Sequence, residues 1–307
     1  MHDKESFLEH RKQQESDHFL RVDTADPLSS ILTVEINTTE LCNRTCVFCP
    51  RHDPNVYPNR NLNMTQMGAL YIAEQLAEIN YSGKISFSGY SENLLNPQFA
   101  EIVRAFRICL PRATLECNTN GDRITKQSFN RLIDAGLDLL YINLYDGPEQ
   151  YDVFEEELAG CDISYYRYRM HWSEADHGLF LNNRGGNISW IGDDEDSVEA
   201  LKGTPCYYPF YKMFVDWNGD VLFCSNDWGK EIVVGNLIQQ SVKEVWLSKE
   251  MMKIRKRLAN GNRNQSPCDK CNVKGTHFGQ RSFEILQAYE DSNNRQHETS
   301  IIPAISY

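Results

Sequence analysis

Two hydrophobic periodicities alternate along this chain. Between Ile31 and Met170, short runs in which every second residue is apolar are separated by longer runs with helical spacing. The period-two runs predict strands at 31–37, 84–88, 114–119, 139–145 and 163–170, with a shorter one at 178–182. The longer runs predict helices at 64–79, 97–110, 125–135 and 148–158; the second stops at Pro111 and the third at Gly136. A repeating strand–helix order implies parallel strands joined by right-handed crossovers. Between Met170 and Gly178 there is no room for a crossover helix, so the far side of such a sheet is expected to be abbreviated or rebuilt.

The alternation within the strands also says what the sheet encloses. Val34 and Ile36 alternate with Glu35 and Asn37; Ile85 and Phe87 with Ser86 and Ser88; Leu115 and Cys117 with Glu116 and Asn118. Leu140, Ile142 and Leu144 alternate with Tyr141, Asn143 and Tyr145 in the same way. Successive strand residues face opposite sides, so one face meets the helices and the other is polar. A solid barrel core would present Val, Ile and Leu on its inner face. A polar inner face, which Arg167 and Arg169 are expected to join from the fifth strand, predicts a hydrogen-bonding cavity, because buried polar groups without partners are costly.

Outside this region the pattern weakens. Residues 1–30 are polar and without a clear period, and read as a short helix and a lead-in. Asn182-Asn183-Arg184-Gly185-Gly186 marks a break, after which Asn218-Gly219 predicts a tight turn within a hairpin at 215–221. A helix is expected from Ser248, with the basic stretch 253–263 as its solvated face, and another at 281–289. The expected units are a lead-in at 1–30, a barrel at 31–200, a small α+β unit at 201–275 and a tail at 276–307.

With 307 residues, of which 41% are hydrophobic, the chain can build one large core and a small one. A net charge of −12 argues against nucleic acid or anionic lipid as the main partner. No apolar run reaches the length of a membrane span, and the charged first twenty residues do not read as a signal peptide. The ten cysteines include C-x2-C pairs, which favour metal in a reducing cytoplasm over disulfides.

The chemistry centres on Thr38-Thr39-Glu40-Leu41-Cys42-Asn43-Arg44-Thr45-Cys46-Val47-Phe48-Cys49-Pro50-Arg51. Cys42, Cys46 and Cys49 form a C-x3-C-x2-C triplet. Three thiolates on one short loop can reach three corners of an iron–sulfur cube and leave one iron open to a small molecule. The alternative is zinc with His52 as fourth ligand, although zinc sites usually pair C-x2-C halves across a longer gap. Further on, Cys206 and Cys224 flank the hairpin and Cys268 and Cys271 form a C-x2-C turn, a set of four thiolates that suits zinc or one cluster.

The triplet, with Phe48 before its last cysteine, resembles the radical S-adenosylmethionine (radical SAM) enzymes. That resemblance implies an α/β fold, a partial (β/α)6 TIM-like barrel, in which the cysteine loop holds a [4Fe–4S] cluster with S-adenosyl-L-methionine (SAM) on its open iron. It further implies cleavage of SAM to a 5′-deoxyadenosyl radical that abstracts a hydrogen atom from substrate. Ser88-Gly89-Tyr90-Ser91-Glu92-Asn93-Leu94-Leu95 resembles the family's G-x-G-E-P-L-L pattern; Gly89 and Glu92 match, while Ser91 and Asn93 replace a glycine and a proline. Glu92 is thereby implied as partner of the SAM ammonium, beside Gly89 and Tyr90. Asn118-Thr119-Asn120-Gly121 resembles the family's T-N-G, which implies further SAM contacts at Asn120 and Asn143, with Arg169 meeting the SAM carboxylate or a substrate oxygen.

The C-terminal cysteines resemble the shortened SPASM module called twitch. This implies one auxiliary [4Fe–4S] cluster on Cys206, Cys224, Cys268 and Cys271, and so two clusters in all, reduced by a donor such as flavodoxin or ferredoxin. Twitch-bearing relatives include a dehydrogenase of an aminocyclitol and epimerases of sugars, so the expected substrate is small, polar and carbohydrate-like. Dehydrogenation needs a group for the proton, for which Glu35, Tyr141 and Arg167 are candidates. Epimerisation needs a hydrogen returned by a thiol, for which Cys161 and Cys117 are candidates. Modification of a ribosomally made peptide is a second reading, and a non-catalytic iron–sulfur or zinc scaffold that binds a partner is a third.

Overall fold

The computed structural model describes residues 4–171, 182–189 and 198–300. Helix α1 (Lys4–Phe19) precedes strand β1 (Thr33–Ile36), and a long loop leads from β1 to α2 (Gln66–Glu78). Strand and helix then alternate through β2 (Lys84–Phe87), α3 (Phe99–Cys109), β3 (Thr114–Thr119), α4 (Lys126–Asp134), β4 (Leu139–Leu144), α5 (Glu149–Glu157) and β5 (Tyr166–Met170). The C-terminal part holds α6 (Tyr208–Tyr211), β6 (Lys212–Val215), β7 (Asp220–Leu222), β8 (Val233–Asn236), α7 (Val242–Trp246), α8 (Lys249–Ala259) and α9 (Gln280–Ser300).

A single eight-stranded sheet runs through both parts in the order β5-β4-β3-β2-β1-β6-β7-β8. Strands β1 to β5 pair in parallel, giving the open, partial-barrel arrangement. The strand expected at 178–182 falls outside the described residues, apart from Asn182, which is not in a strand. The sixth parallel strand comes instead from the C-terminal part: β6 pairs with β1, from Thr33 opposite Lys212 to Ile36 opposite Val215. Its apolar side explains the placement, since Met213 and Val215 are fully buried in the layer that holds Val34 and Ile36. Strands β7 and β8 extend the sheet antiparallel, with Asn218-Gly219 at the expected turn.

The helix-facing side of the sheet is the core. Val34, Ile36, Ile85, Phe87, Leu115, Leu140, Ile142 and Leu144 are completely covered, and each such side chain contributes roughly 1.5–3 kcal/mol relative to exposure. Cys117 belongs to this layer. Helix α2 meets it with Ala69, Ile72, Ala73 and Leu76, and α3 with Phe99, Ile102, Val103 and Phe106, the spacing of one helical face. Thr65 caps α2 by accepting from Gly68 N, and a Thr125–Ser128 capping box starts α4. Ser248 caps α8 as expected. The basic stretch is not wholly a solvated face, however: Arg255 is buried against the Trp246 ring and donates to the Pro209 and Trp246 carbonyls.

The lead-in does more than precede the barrel. Helix α1 docks beneath the sheet, where Glu15 accepts from Gly279 N and Arg11 lies over the Phe278 ring. These two contacts are with residues more than 250 positions away, which no local period could reveal.

Candidate active site

The loop after β1 carries Cys42, Cys46 and Cys49, and three charged or polar side chains fix it. Arg44 forms paired hydrogen bonds with both Asp122 (2.6 and 2.7 Å) and Asp146 (2.7 and 2.8 Å), beyond the ends of β3 and β4. Bidentate pairing of this kind sets geometry as well as charge. Arg51 is buried and reaches the carbonyls of Glu40 (2.8 Å) and Tyr90, so the loop is joined to the turn after β2. Asn59 closes on Cys42 in both directions, accepting from its N–H at 2.9 Å and donating to its carbonyl at 3.0 Å. None of these three residues was singled out from sequence; the available signal was a pair of arginines inside a metal-type loop, with a third partner, Asn59, eight residues after Arg51.

Below the loop lies a cavity of about 340 Å3 that runs from the carboxyl ends of the strands, where ligands bind in such sheets, down to Thr33, Lys84 and Lys212 at the starts of β1, β2 and β6. Its walls are the polar strand faces read from the alternation: Glu35, Ser86, Ser88, Glu116, Asn118, Tyr141, Asn143, Tyr145 and Arg169. Asn37 departs from that pattern. It is fully buried outside the cavity, donating to Asp216 at 2.7 Å. Arg167 also departs, because β5 is an edge strand and its beginning faces solvent. Arg167 is exposed and turns back onto the carbonyls of Ile163 and Tyr166, both at 2.7 Å. Arg169, two residues further on, stacks on the Tyr141 ring at 3.6 Å and donates to Asn118.

Neither candidate thiol lines the cavity. Cys117 points into the helix-side core, and Cys161, in the turn between α5 and β5, packs at the same core near Asn130 of α4. Both are placed by the apolar layer they complete.

Glu92 lies buried at the cavity wall and ties β2 to β3. Its Oε1 accepts from Leu94 N (3.0 Å) and Thr119 Oγ1 (2.7 Å), and its Oε2 accepts from Asn120 N (2.7 Å). A carboxylate has about four acceptor positions, so one remains for a ligand. Burial pushes the Glu92 carboxyl up, against these three hydrogen bonds. Gly89 stands at φ 125°, and a Cβ there would come within 2.9 Å of the Phe214 ring. Asn93, at the family's proline position, has its own structural use: it donates to Phe87 O at 3.0 Å and accepts from Thr38 at 2.7 Å.

Aromatic side chains line the rest. Tyr90 packs on Trp228 (4.2 Å between ring centres) and Phe214 (4.7 Å), and its hydroxyl donates to Asp227 O at 2.9 Å. Cys49 packs against this cluster. On the other wall, the His171 ring lies 6.0 Å from Phe48 and 4.7 Å from Tyr145, and its Nε2 pairs with Asn143 Oδ1 at 3.0 Å. Trp228 and His171 both line the cavity and carried no periodic signal.

At the floor, the Glu35 carboxylate accepts from Ser88 and Lys212, both at 2.8 Å. Glu116 pairs with Lys84 at 3.3 Å and accepts from Ser86 at 3.1 Å. Arg11 and Gln14 of α1 complete the lining.

The thiols fit iron–sulfur clusters by their chemistry. Burial pushes the Cys42, Cys46 and Cys49 thiols up, Cys46 to about 11, and for Cys46 the charges of Cys49 and Cys42 add to it. Thiols so placed bind as thiolates only with a cationic centre to hold them, releasing their protons. Cys206, Cys224, Cys268 and Cys271 form a second set, with burial raising Cys268 to about 11 and Cys271 to about 12. Backbone presses close to this set, since a Cβ on Gly275 would lie 2.3 Å from Cys206 Sγ. Among the described residues, no group of three or more His, Cys, Asp or Glu side chains converges tightly enough for a single metal ion; thiolates on separate corners of a cube need not meet at one point.

Residues 36–162 match the radical SAM superfamily, and residues 206–272 match the iron–sulfur cluster-binding domain SPASM. The S-adenosyl-L-methionine-dependent 2-deoxy-scyllo-inosamine dehydrogenase of Niallia circulans is 30% identical over 251 residues, covering 80% of this chain and 94% of the relative. The crystal structure of BtrN in complex with AdoMet and 2-DOIA superposes with a TM-score of 0.70 at 26% identity, over 82% of this chain and 96% of that one. BtrN in an open conformation gives 0.59 at 24% identity, over 79% and 92%, a likeness of fold. No helix among the described residues is long and apolar enough to cross a membrane. A loop of three thiols over a polar cavity, a second thiol set beyond it, and a relative matched along nearly its whole length lead to one conclusion: this chain belongs to the radical SAM superfamily, as an enzyme whose cofactors are SAM and iron–sulfur clusters.

Proposed function

We propose that this enzyme dehydrogenates a carbinol carbon of a small polar ring, a sugar or aminocyclitol. The observation that carries the reading is the composition of the cavity wall: hydrogen-bonding side chains come from six strands, while Cys117 and Cys161, the thiols able to return a hydrogen in epimerisation, lie elsewhere. The 30% identity to an aminocyclitol dehydrogenase supports the same choice.

When bound, SAM and the two clusters supply a 5′-deoxyadenosyl radical for hydrogen abstraction and an acceptor for the second electron. Cys42, Cys46 and Cys49 hold one cluster, and Cys206, Cys224, Cys268 and Cys271 the other. Glu92 offers its open acceptor position to the SAM ammonium, with Gly89 and Tyr90 beside it. Phe48, Asn120 and Asn143, which line the same cavity, would hold the rest of SAM, and Arg169 would meet its carboxylate or a substrate oxygen. Oxidation of a carbinol also releases the hydroxyl proton. Burial pushes the Glu35 carboxyl up, but Lys212 and Ser88 more than offset it and hold it ionised, so it can accept a proton. Burial raises the Tyr141 phenol, with Glu116 adding to it, which keeps Tyr141 a hydrogen-bond donor to substrate. A flavodoxin- or ferredoxin-type protein in the reducing cytoplasm is the matching electron source.

Anaerobic turnover in D2O tests the reaction, starting with 2-deoxy-scyllo-inosamine and simple inositols. Dehydrogenation yields 5′-deoxyadenosine and a product two mass units lighter, without solvent deuterium at the reacting carbon. An isomer carrying one deuterium overturns the reading.

A further inference from the structure

We propose that the floor of the cavity is a proton exit: the hydroxyl proton that Glu35 takes from the substrate passes along Ser88, Ser86 and Glu116 to Lys84, and leaves through a second cavity behind it. The inference rests on the dehydrogenase reading, which puts that proton on Glu35.

The route is continuous. Side chains along β6, β1, β2 and β3 form one hydrogen-bonded chain on the inner face of the sheet. Lys212 Nζ donates to Glu35 Oε2, and Ser88 Oγ to Glu35 Oε1, both at 2.8 Å. The Ser88 and Ser86 hydroxyls are 3.1 Å apart, Ser86 donates to Glu116 Oε1 at 3.1 Å, and the same oxygen lies 3.3 Å from Lys84 Nζ. Local structure dictates this order. Lys84, Ser86 and Ser88 stand two residues apart, on one face of β2 and its continuation. The parallel register then sets Glu35 and Glu116 on either side of Ser86.

Lys84 is the member that faces two ways. With Arg11, Gln14 and Thr33 it lines both the main cavity and a second one of about 90 Å3, and its Nζ lies 3.5 Å from Gln14 Oε1. The exposed Arg21 and Thr114 stand on the wall of that second cavity, at the end of the sheet away from the cysteine loop.

Charge and hydroxyl chemistry allow passage in this direction. Burial pushes the Glu35 and Glu116 carboxyls up, but cationic neighbours, Lys212 for Glu35 and Lys84 for Glu116, hold each below the ordinary range, so each can receive a proton. A protonated Glu35 donates to Ser88, the Ser88 proton turns to Ser86, and the Ser86 proton passes to Glu116; each hydroxyl gains one proton and gives one. Burial takes Lys84 down to about 8, with Glu116 opposing and Arg11 and Lys212 adding to it. Its ammonium can therefore yield a proton to water near neutrality and then take the one on Glu116. The balance is that of the proposed dehydrogenation: the substrate carbon gives a hydrogen atom to the 5′-deoxyadenosyl radical and an electron to the second cluster, its hydroxyl gives a proton to this chain, and a carbonyl remains.

Rapid-freeze EPR of the anaerobic holoenzyme, with 2-deoxy-scyllo-inosamine or the inositol it dehydrogenates, follows decay of the carbon-centred substrate radical left by hydrogen abstraction. Ser86→Ala cuts the chain at its middle and should slow that decay by about tenfold or more, the low side of what a positioned proton acceptor contributes. 5′-Deoxyadenosine should still form at the wild-type rate, a split that a merely structural brace would not produce. Ser86→Thr keeps the hydroxyl and should restore the decay. Ser88→Ala should match Ser86→Ala, and the double variant should be no slower than either single, because both cut one path; if Ser86→Ala loses iron or helical circular dichroism, Ser88→Ala is read in its place. Lys84→Ala should slow the decay likewise and recover with ethylamine. Wild-type decay in the serine variants, additive losses in the double variant, or an iron-replete Lys84→Ala enzyme that ethylamine does not restore overturns the route and leaves the dehydrogenase reading standing. A deuterated isomer from the wild-type enzyme in D2O overturns that reading and the route with it.

Discussion

Lys230, in the turn before β8, forms an ion pair with Glu40, two residues ahead of the first cluster-loop cysteine and 190 positions away in the chain. The same ammonium pairs with Asp216, which in turn accepts from Asn37 at the end of β1. One lysine therefore fastens the cysteine loop to the C-terminal part. Glu40 and Asp216 are almost fully covered, at 4% and 3% side-chain exposure.

Lys230→Met should accordingly be costly. Removing one partner of a buried pair leaves uncompensated charge and costs about 3–5 kcal/mol, discounted here because Lys230 itself is 24% exposed and Arg60 still faces Glu40 at 3.4 Å. Denaturant unfolding of the holoenzyme should show the loss, and iron analysis should show the cluster of Cys42, Cys46 and Cys49 depleted before that of the C-terminal set. Unchanged stability would mean that the β1–β6 pairing and the Asn37–Asp216 and Tyr90–Asp227 hydrogen bonds hold the two parts without it.

Glu92→Gln is the informative change at the SAM site. Glu92→Ala would strand the Leu94, Thr119 and Asn120 donors and mix a folding defect with a binding defect. The amide keeps the shape and loses the charge, and its NH2 faces only one of the two backbone donors, a smaller disturbance than stranding all three groups; SAM affinity should fall by roughly 1.5–3 kcal/mol, the range for a hydrogen bond to a charged group, with iron content retained. Equilibrium binding of SAM measures it; wild-type affinity would reduce Glu92 to a strut between β2 and β3.

Lys84 gives a pH signature. Its folded-state value of about 8 lies below the ordinary lysine value of about 10.4. Between those two values the unfolded chain binds the extra proton, so the Lys84 contribution to stability rises with pH across that window. Reductive methylation with carbon-13 NMR should show one dimethyl-lysine resonance with a midpoint near 8, absent in Lys84→Met. A midpoint near 10 for every resonance would place Lys84 in a wetter, less cationic setting than the cavity floor.

Much of this was legible from alternation alone. Strand β3 runs over the residues that the period-two pattern marked, and Glu35, Ser86, Glu116, Tyr141 and Asn143 all line the cavity as their strand faces implied. Arg167 and Arg169 share that phase and yet part company, because periodicity assigns a face but not whether an edge strand is covered there. Arg11 and Lys212 were not legible for a different reason. Each reaches the floor through a pairing or docking contact between distant segments, and a local window contains neither partner. His171 follows the last residue of β5, where the period ends and only the stacked rings of Phe48 and Tyr145 give it a place.

The pairing of β1 with β6 also sets a schedule for synthesis. Glu35 and its partner Lys212 are 177 residues apart, so as the chain leaves the ribosome β1 has a neighbour on only one flank until β6 has emerged. An unpaired, apolar-faced strand invites association with other chains, and contacts this distant in sequence form late. A fragment ending at the 182–186 break would keep that flank open permanently. The C-terminal cysteines and the strand that completes the parallel part of the sheet are thus delivered by one stretch of chain, so the cavity gains its last wall and the second thiol set appears at the same stage of synthesis.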